Sequence, residues 1–482
     1  MSGVFFAALL ACAKDPVVKT IPAEDGALEV QLFNPTSCSD CDPFAGVDTL
    51  VLSVLQDGQP ISSATYAWPG AELSLPELDG FGVVQVELLG LRAGEVSSYG
   101  ITPEVALGPG RTVTVALQFL PANQALPLTA GLTIARENPA TVRLRNGRVL
   151  VVGGNAAGGD RVFTAIEAYD PTTGGFADAG IALPSPLTEA HVAEFPTGER
   201  LFLAGIGALE GGRVGSTEVV HYVEETGEIK SQSPLAMARD GACVSAFRDG
   251  QALVLGGHDE PRSHGELVRR DPDDGTWHAT DVYFTDLDDQ QVTGCAPLAD
   301  GRTFVQGSTA ASTGIWALSE ANEGVYPPET AFFPTPVDDP GAGAAWVVGA
   351  GIAPLADGDA WVGGGVVPTT GALAGAAREL RGATQRFDPA DAQPAQPRAF
   401  GPLRTVDAAG TVAWGCGWRD LGRTVPLPSV ELFNVETGAA GPLIELYDTR
   451  DGCDLAVLPD GSILVVGGSE AATGEIIRPY LE

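Results

Sequence analysis

At 482 residues, 44% of them hydrophobic, the chain has length for about two to four domains and apolar material for large cores, which excludes wholesale disorder. Lys and Arg number 27 against 62 Asp and Glu, a formal charge of −35 that repels nucleic-acid phosphates and anionic headgroups, so nucleic-acid binding is excluded. The 62 Gly and 36 Pro exceed ordinary usage and predict many tight turns.

The chain opens on an apolar run, Val4 to Ala11, too short to cross a bilayer, and the run ends in Leu9-Leu10-Ala11-Cys12. Residues 1–12 resemble a bacterial lipoprotein signal segment, whose cysteine is lipidated and becomes the mature N-terminus. The resemblance implies export, a lipid on Cys12, and a cell-envelope location in which the membrane is met through that lipid only. A buried N-terminal strand with an ordinary cysteine is the alternative. Residues 13–26 read as a polar linker.

Residues 27–120 carry VDTLVLSVLQDGQPI, AELSLPELDG, GVVQVELLGLRAG and RTVTVALQFL, strand patterns bounded by Gly, Pro or Asp. They predict a small β-sandwich of immunoglobulin-like or transthyretin-like type. Cys38 and Cys41 form a C-x-x-C in a Pro/Ser/Asp loop at its start. Redox use needs a helix start and zinc needs a second such pair, so a local disulfide is preferred over either.

From residue 121 to 482 one pattern recurs: a turn, then an apolar strand ending in glycines. RNGRVLVVGG is the clearest copy, and the others are PTGERLFLAG, RDGQALVLGG, ADGRTFVQGS, ADGDAWVGGG, AAGTVAWGCG and PDGSILVVGG. The turn glycines are Gly147, Gly198, Gly250, Gly301, Gly358, Gly410 and Gly461, at spacings of 51, 52, 51, 57, 52 and 51. Asn-Gly and Asp-Gly pairs accept the positive φ of a two-residue hairpin, so the apolar stretch before each turn becomes the partner strand. A third strand follows each glycine pair (AIEAYDPTTGGF, ATQRFDPADAQP), and a fourth is expected at SPLAMARDGA and its early counterpart LPLTAGLTIAREN.

Four short strands per unit of about 50 residues, with Gly-Gly and aromatic markers such as Trp277, resemble the kelch repeat. The resemblance implies an all-β fold: a seven-bladed kelch-like β-propeller preceded by the sandwich, of the exported bacterial lipoprotein type. Ala204, Ser308 and Cys416 depart from it by replacing a glycine of the pair. The last copy stops after its third strand, so the segment before the first turn is expected to complete it. In this frame Cys243 and Cys295 begin the first strands of adjacent blades, and Cys416 ends a second strand one blade before Cys453. Inter-blade disulfides Cys243–Cys295 and Cys416–Cys453 follow as expectations.

No catalytic residue stands out. Copper radical oxidases share the propeller but use His, Tyr and a Tyr–Cys crosslink. His191, His221, His258, His264 and His278 read as surface-loop residues, and no cysteine segment pairs with a tyrosine. DPDDGTW (Asp271 to Trp277) approaches a sialidase Asp box without its spacing, and adjacent Arg269 and Arg270 point to opposite faces of a strand. No metal and no cofactor is expected. The function expected is a non-enzymatic cell-envelope binding or scaffolding lipoprotein that presents the propeller to a protein or glycan partner, with Val325 to Gly341 as a contact loop. The alternatives are a propeller enzyme (a metal-dependent oxidase or a carbohydrate-active hydrolase or lyase) and a purely structural envelope protein.

Overall fold

The turn at Asn146-Gly147 shows how the repeat becomes structure. Gly147 adopts φ 86°, its N–H donates to Leu144 O at 3.0 Å, and Asn146 Oδ1 accepts Arg148 N at 3.0 Å. This closes a hairpin between strands Ala140–Arg143 and Val149–Val152. The second strand is buried on both faces, which is why it reads as an unbroken apolar run. Gly198, Gly250, Gly358, Gly410 and Gly461 hold the same left-handed backbone, with φ between 78° and 88°. Gly301 lies outside the described residues.

In the computed structural model the described residues are 19–22 and 28–480, less 39, 71, 76–81, 109–111, 160, 196, 208–213, 248–249, 258–263, 284–290, 299–302, 309–312, 321–331, 337–346, 356–357, 368–369, 382–385 and 408. Cys12, His258 and all of the expected contact loop but its strand Phe332–Pro336 therefore fall outside. The described secondary structure is all β.

Seven four-stranded antiparallel sheets account for the chain after residue 120. The first has strands Ala140–Arg143, Val149–Val152, Ala165–Asp170 and Gly175–Ala182; the second has His191–Glu194, Glu199–Leu203, Val219–Val223 and Glu228–Ser231. The third runs Cys243–Ala246, Gln251–Leu255, His264–Arg270, Trp277–Tyr283, and the fourth Gln291–Pro297, Thr303–Ser308, Thr313–Glu320, Phe332–Pro336. The fifth comprises Gly351–Pro354, Ala360–Gly363, Arg378–Arg381 and Arg386–Pro389; the sixth comprises Leu403–Thr405, Thr411–Gly415, Ser429–Asn434 and Ala440–Glu445. The seventh takes Asp454–Val457, Ile463–Val466 and Glu475–Ile477 from the C-terminus. Its outer strand is Ala125–Pro127, where Leu126 pairs with Ile476, so the segment before the first turn covers the last open edge. First strands of successive sheets pack side by side, and that of the seventh sheet packs against those of both the sixth and the first.

Two expectations are corrected. SPLAMARDGA is a loop between sheets, not a fourth strand; in the second and third sheets the fourth strand comes earlier, directly after the third across a tight hairpin. In the fifth sheet the third strand is Arg378–Arg381, and ATQRFDPADAQP contributes the fourth, because a small hairpin at Val366–Val367 and Ala372–Leu373 intervenes.

Before the seven sheets lie two others. Gln59–Ala67, Thr49–Gln56, Val83–Arg92, Glu95–Ile101 and Leu120–Pro121 lie in that order, with Val105–Ala106 on the third of them. Lys19–Pro22, Leu28–Phe33 and Val113–Gln118 make the other, the last two parallel. Lys19–Pro22 falls inside the segment expected to be linker; it pairs with Leu28–Phe33 and is a strand. Leu50, Leu52, Val54, Val86, Leu88, Leu117 and Phe119 form their core.

Candidate functional site at the Gly-Gly end

The loops entering the sheets carry a device that the sequence reading missed. Arg136, Arg239, Arg398 and Arg450 occupy the same repeat position, two residues before the loop turns into the sheet, and all are at most 1% exposed. Arg450 Nε and Nη2 reach Glu475 Oε1 at 2.8 and 2.7 Å, and Nη1 donates to Gly467 O at 2.7 Å. Arg239 makes the same set with Glu266 and Gly256 O; Arg136 meets Glu167 through Nη2 and Gly153 O through Nη1, while its Nε donates to Ile134 O. Each carboxylate also accepts two N–H groups of its loop: Thr133 and Ile134, Ala236 and Met237, Tyr447 and Asp448. The first carbonyl of the Gly-Gly pair is thus tied by a buried cation, and the loop by a buried anion. Ala204 and Cys416 keep the left-handed backbone of the glycines they replace, at φ 46° and 53°.

Clamped in this way, the next two residues of each loop are presented at the end where the second strands stop. Two positions after the arginine, or after Leu187 and Val347 which take its place in two sheets, stand Asn138, Glu189, Gly241, Gly349, Phe400 and Gly452, and all six have positive φ, between 50° and 74°. They are strung together by backbone hydrogen bonds. Asn138 N donates to Gly452 O (2.6 Å), Glu189 N to Asn138 O (3.1 Å) and Phe400 N to Gly349 O (2.7 Å).

One position after the arginine, Glu137, Asp240 and Asp451 are acidic, and Glu137 and Asp451 belong to adjoining sheets. Glu137 Oε2 accepts Asn155 Nδ2 at 3.1 Å; Asn155 Oδ1 in turn accepts Asn138 Nδ2 at 3.1 Å and Thr188 Oγ1 at 2.8 Å. Burial raises the Glu137 carboxyl above its ordinary value, and the neighbouring Asp451 and Glu470 charges push the same way. Asp451 Oδ1 accepts Trp418 Nε1 at 2.9 Å. Arg423 reaches from the loop after Trp418 to Glu189, at 3.0 and 3.1 Å from its two oxygens. At the foot of the second sheet's first strand, burial lowers His191, against the opposing pull of Glu189. A protonatable carboxyl, a second carboxylate, an imidazole and a guanidinium thus gather at one end of the sheets, on loops held by a rigid frame.

Of the residues singled out from sequence, His191 and Cys416 lie at this end; His191 and His221 are strand residues, not surface-loop ones, because their strands pack into the sheets. Cys38–Cys41, Cys243–Cys295 and Cys416–Cys453 are disulfides with Cα separations of 5.2, 5.7 and 6.0 Å, as expected. The six described turn glycines lie at the ends of the hairpins between first and second strands, opposite the Gly-Gly end. His221 is buried against Trp277 and Glu199, and His264 begins a third strand. His278 shares an outer hairpin with Asp271 and Asp274, the one group of three potential metal ligands among the described residues. Both His278 ring nitrogens there lie against hydroxyls, Ser233 Oγ at 3.0 Å and Thr276 Oγ1 at 2.7 Å.

No family model matches the chain, and no curated protein matches it. Among solved structures it resembles a novel fungal alcohol oxidase of the AA5 family, in complex with copper. The match has a TM-score of 0.51 at 16% identity and covers 72% of this chain and 74% of that one, a likeness of fold. It overturns the expected non-enzymatic binding or scaffolding role. The fold it resembles has a catalytic member. The enzyme alternative is the better supported. The described residues do not fit copper: six cysteines are tied in disulfides, the Gly-Gly end offers one described histidine, and the only three-donor group is on an outer hairpin.

Proposed function

We propose that the chain is an enzyme carried on a seven-bladed kelch-like β-propeller, whose Gly-Gly end is the mouth of the central channel. Glu137 and Asp451 would be the acid–base pair of a hydrolase or lyase acting on a glycan. The observation carrying this is the pairing of a carboxyl with raised proton affinity and a carboxylate held by an indole N–H, on adjoining sheets. A carboxyl of raised proton affinity beside a second carboxyl is the usual basis of acid and base roles. Glu137 then donates a proton to the leaving oxygen while Asp451 takes one from water or from a sugar carbon. The acidic surface suits a neutral or cationic substrate over an anionic one.

The seven sheets, their successive packing and the borrowed outer strand of the last one support the propeller, and the two preceding sheets are read as the sandwich of residues 27–120. Lipidation of Cys12 and an envelope location remain part of the proposal, and the three disulfides are in keeping with an oxidising compartment. Metal-dependent alcohol oxidation is the second reading, favoured by the fold likeness alone.

One assay separates them. The full chain is offered polysaccharides and primary alcohols, with chelator or with added copper. New reducing or unsaturated ends that persist in chelator and vanish in Glu137→Gln support the pair. Peroxide produced only with copper replaces it by the oxidase, and cleavage that survives Glu137→Gln removes Glu137 from the reaction.

A further inference from the structure

At the ring of left-handed loop residues, three of the six described positions are glycine and one is asparagine, the residues that tolerate positive φ best. The two exceptions are Glu189 and Phe400, at φ 50° and 57°. Both touch Arg423, itself at φ 54°. Three residues of left-handed backbone, two of them meeting on the third, mark a place where the side chains matter more than local backbone comfort.

Their arrangement is that of a cation cage. The Arg423 guanidinium carbon lies 4.4 Å from the centre of the Phe400 ring and 5.1 Å from that of Trp418, the rings being inclined at 68° with centroids 6.3 Å apart. Glu189 closes the third side through both oxygens. Aromatic faces and a carboxylate around one positive group are the chemistry that selects guanidinium and alkylammonium groups. The arm that fills the cage is a surface loop, tied by Asp420, which accepts N–H groups from Thr424 and Val425. Arg423 keeps 31% of its side chain exposed and Glu189 14%, so an outside cation has an approach.

We propose that Phe400, Trp418 and Glu189 form a recognition site for a guanidinium or alkylammonium group, and that Arg423 is an internal occupant which such a ligand displaces. The site shares Trp418 with the acid–base pair, whose Asp451 accepts the indole N–H, so its test reads binding, not turnover. Asp451, in contact with Trp418, and the net charge of −35 favour cationic visitors.

The test is calorimetric titration of the full chain with n-butylguanidinium, and with n-butylurea as its neutral counterpart. Arg423→Ala is expected to bind the cation at least about tenfold more tightly than the parent chain, whose own arginine competes. Its thermal midpoint should rise with the cation and not with the urea. Arg423→Met keeps the apolar stem between the rings and serves where the alanine variant does not fold. Adding Glu189→Gln to either variant should abolish the gain. Equal affinity in parent and variant, binding of the neutral analogue, or a gain that survives Glu189→Gln overturns the proposal.

Discussion

Glu475→Gln tests whether the buried arginine clamp holds the loops. Arg450 and Glu475 are both fully buried, their nitrogen–oxygen contact is 2.7 Å, and a neutral amide in place of the carboxylate would leave a guanidinium in the interior with no counter-charge. Removing one partner of such a pair costs about 3–5 kcal/mol. The chain contains its own control: in the second sheet the two places are taken by Leu187 and Val220, both buried. The double variant Arg450→Leu/Glu475→Val copies that solution and leaves no charge stranded, though Gly467 O and the Tyr447 and Asp448 N–H groups lose partners at about 1–3 kcal/mol each. Urea unfolding of the two single variants and the double variant should therefore give a coupling of at least about 2 kcal/mol, the double costing less than the sum of the singles. Additive losses, within about 0.5 kcal/mol, would refute the clamp as a coupled unit.

Other perturbations read different parts of the account. Replacing Cys243 and Cys295 by serine opens a closure of 52 residues and should cost up to about 4 kcal/mol in oxidising buffer, while leaving stability in reductant unchanged. Leu126→Ala empties a site 3% exposed in the outer strand of the last sheet; it should lower stability by about 2–5 kcal/mol, although residue 126 is some 350 positions from the strand it pairs with. Because the folded Glu137 carboxyl binds its proton more tightly than the unfolded one, its contribution is fully present below the unfolded value and is lost as pH rises through the folded value. Glu137→Gln, which can still accept from Asn155, should therefore gain stability relative to the parent as pH rises from about 4 towards neutrality, seen as diverging urea midpoints.

The second strands were legible because both faces are buried, giving apolar runs such as Val149–Val152, and because each preceding turn needs glycine. The loops were not. SPLAMARDGA carries a short apolar run, Leu235 to Ala238, as a buried strand would, and an arginine in it reads as surface, yet Arg239 is 1% exposed. A local signal was nonetheless present: an acid directly follows the arginine in Arg136-Glu137, Arg239-Asp240 and Arg450-Asp451. Aligning the repeats on that dipeptide, in addition to the turn glycine, would have brought the candidate site forward. The Arg423–Glu189 contact has no such trace, since 234 residues separate its partners and only the circular order of the sheets brings them together.

The central claim is that the Gly-Gly end holds a carboxyl, Glu137, whose proton affinity is raised by burial and by the neighbouring Asp451 charge. Titrating the Glu137 side chain by carbon NMR, with Glu137→Gln used to assign its signal, tests this directly in the parent chain and in Asp451→Asn. The account predicts a proton affinity above the ordinary glutamate range that falls when the Asp451 charge is removed, since Asp451→Asn can still accept from the Trp418 indole. An ordinary value that Asp451→Asn leaves in place would contradict it.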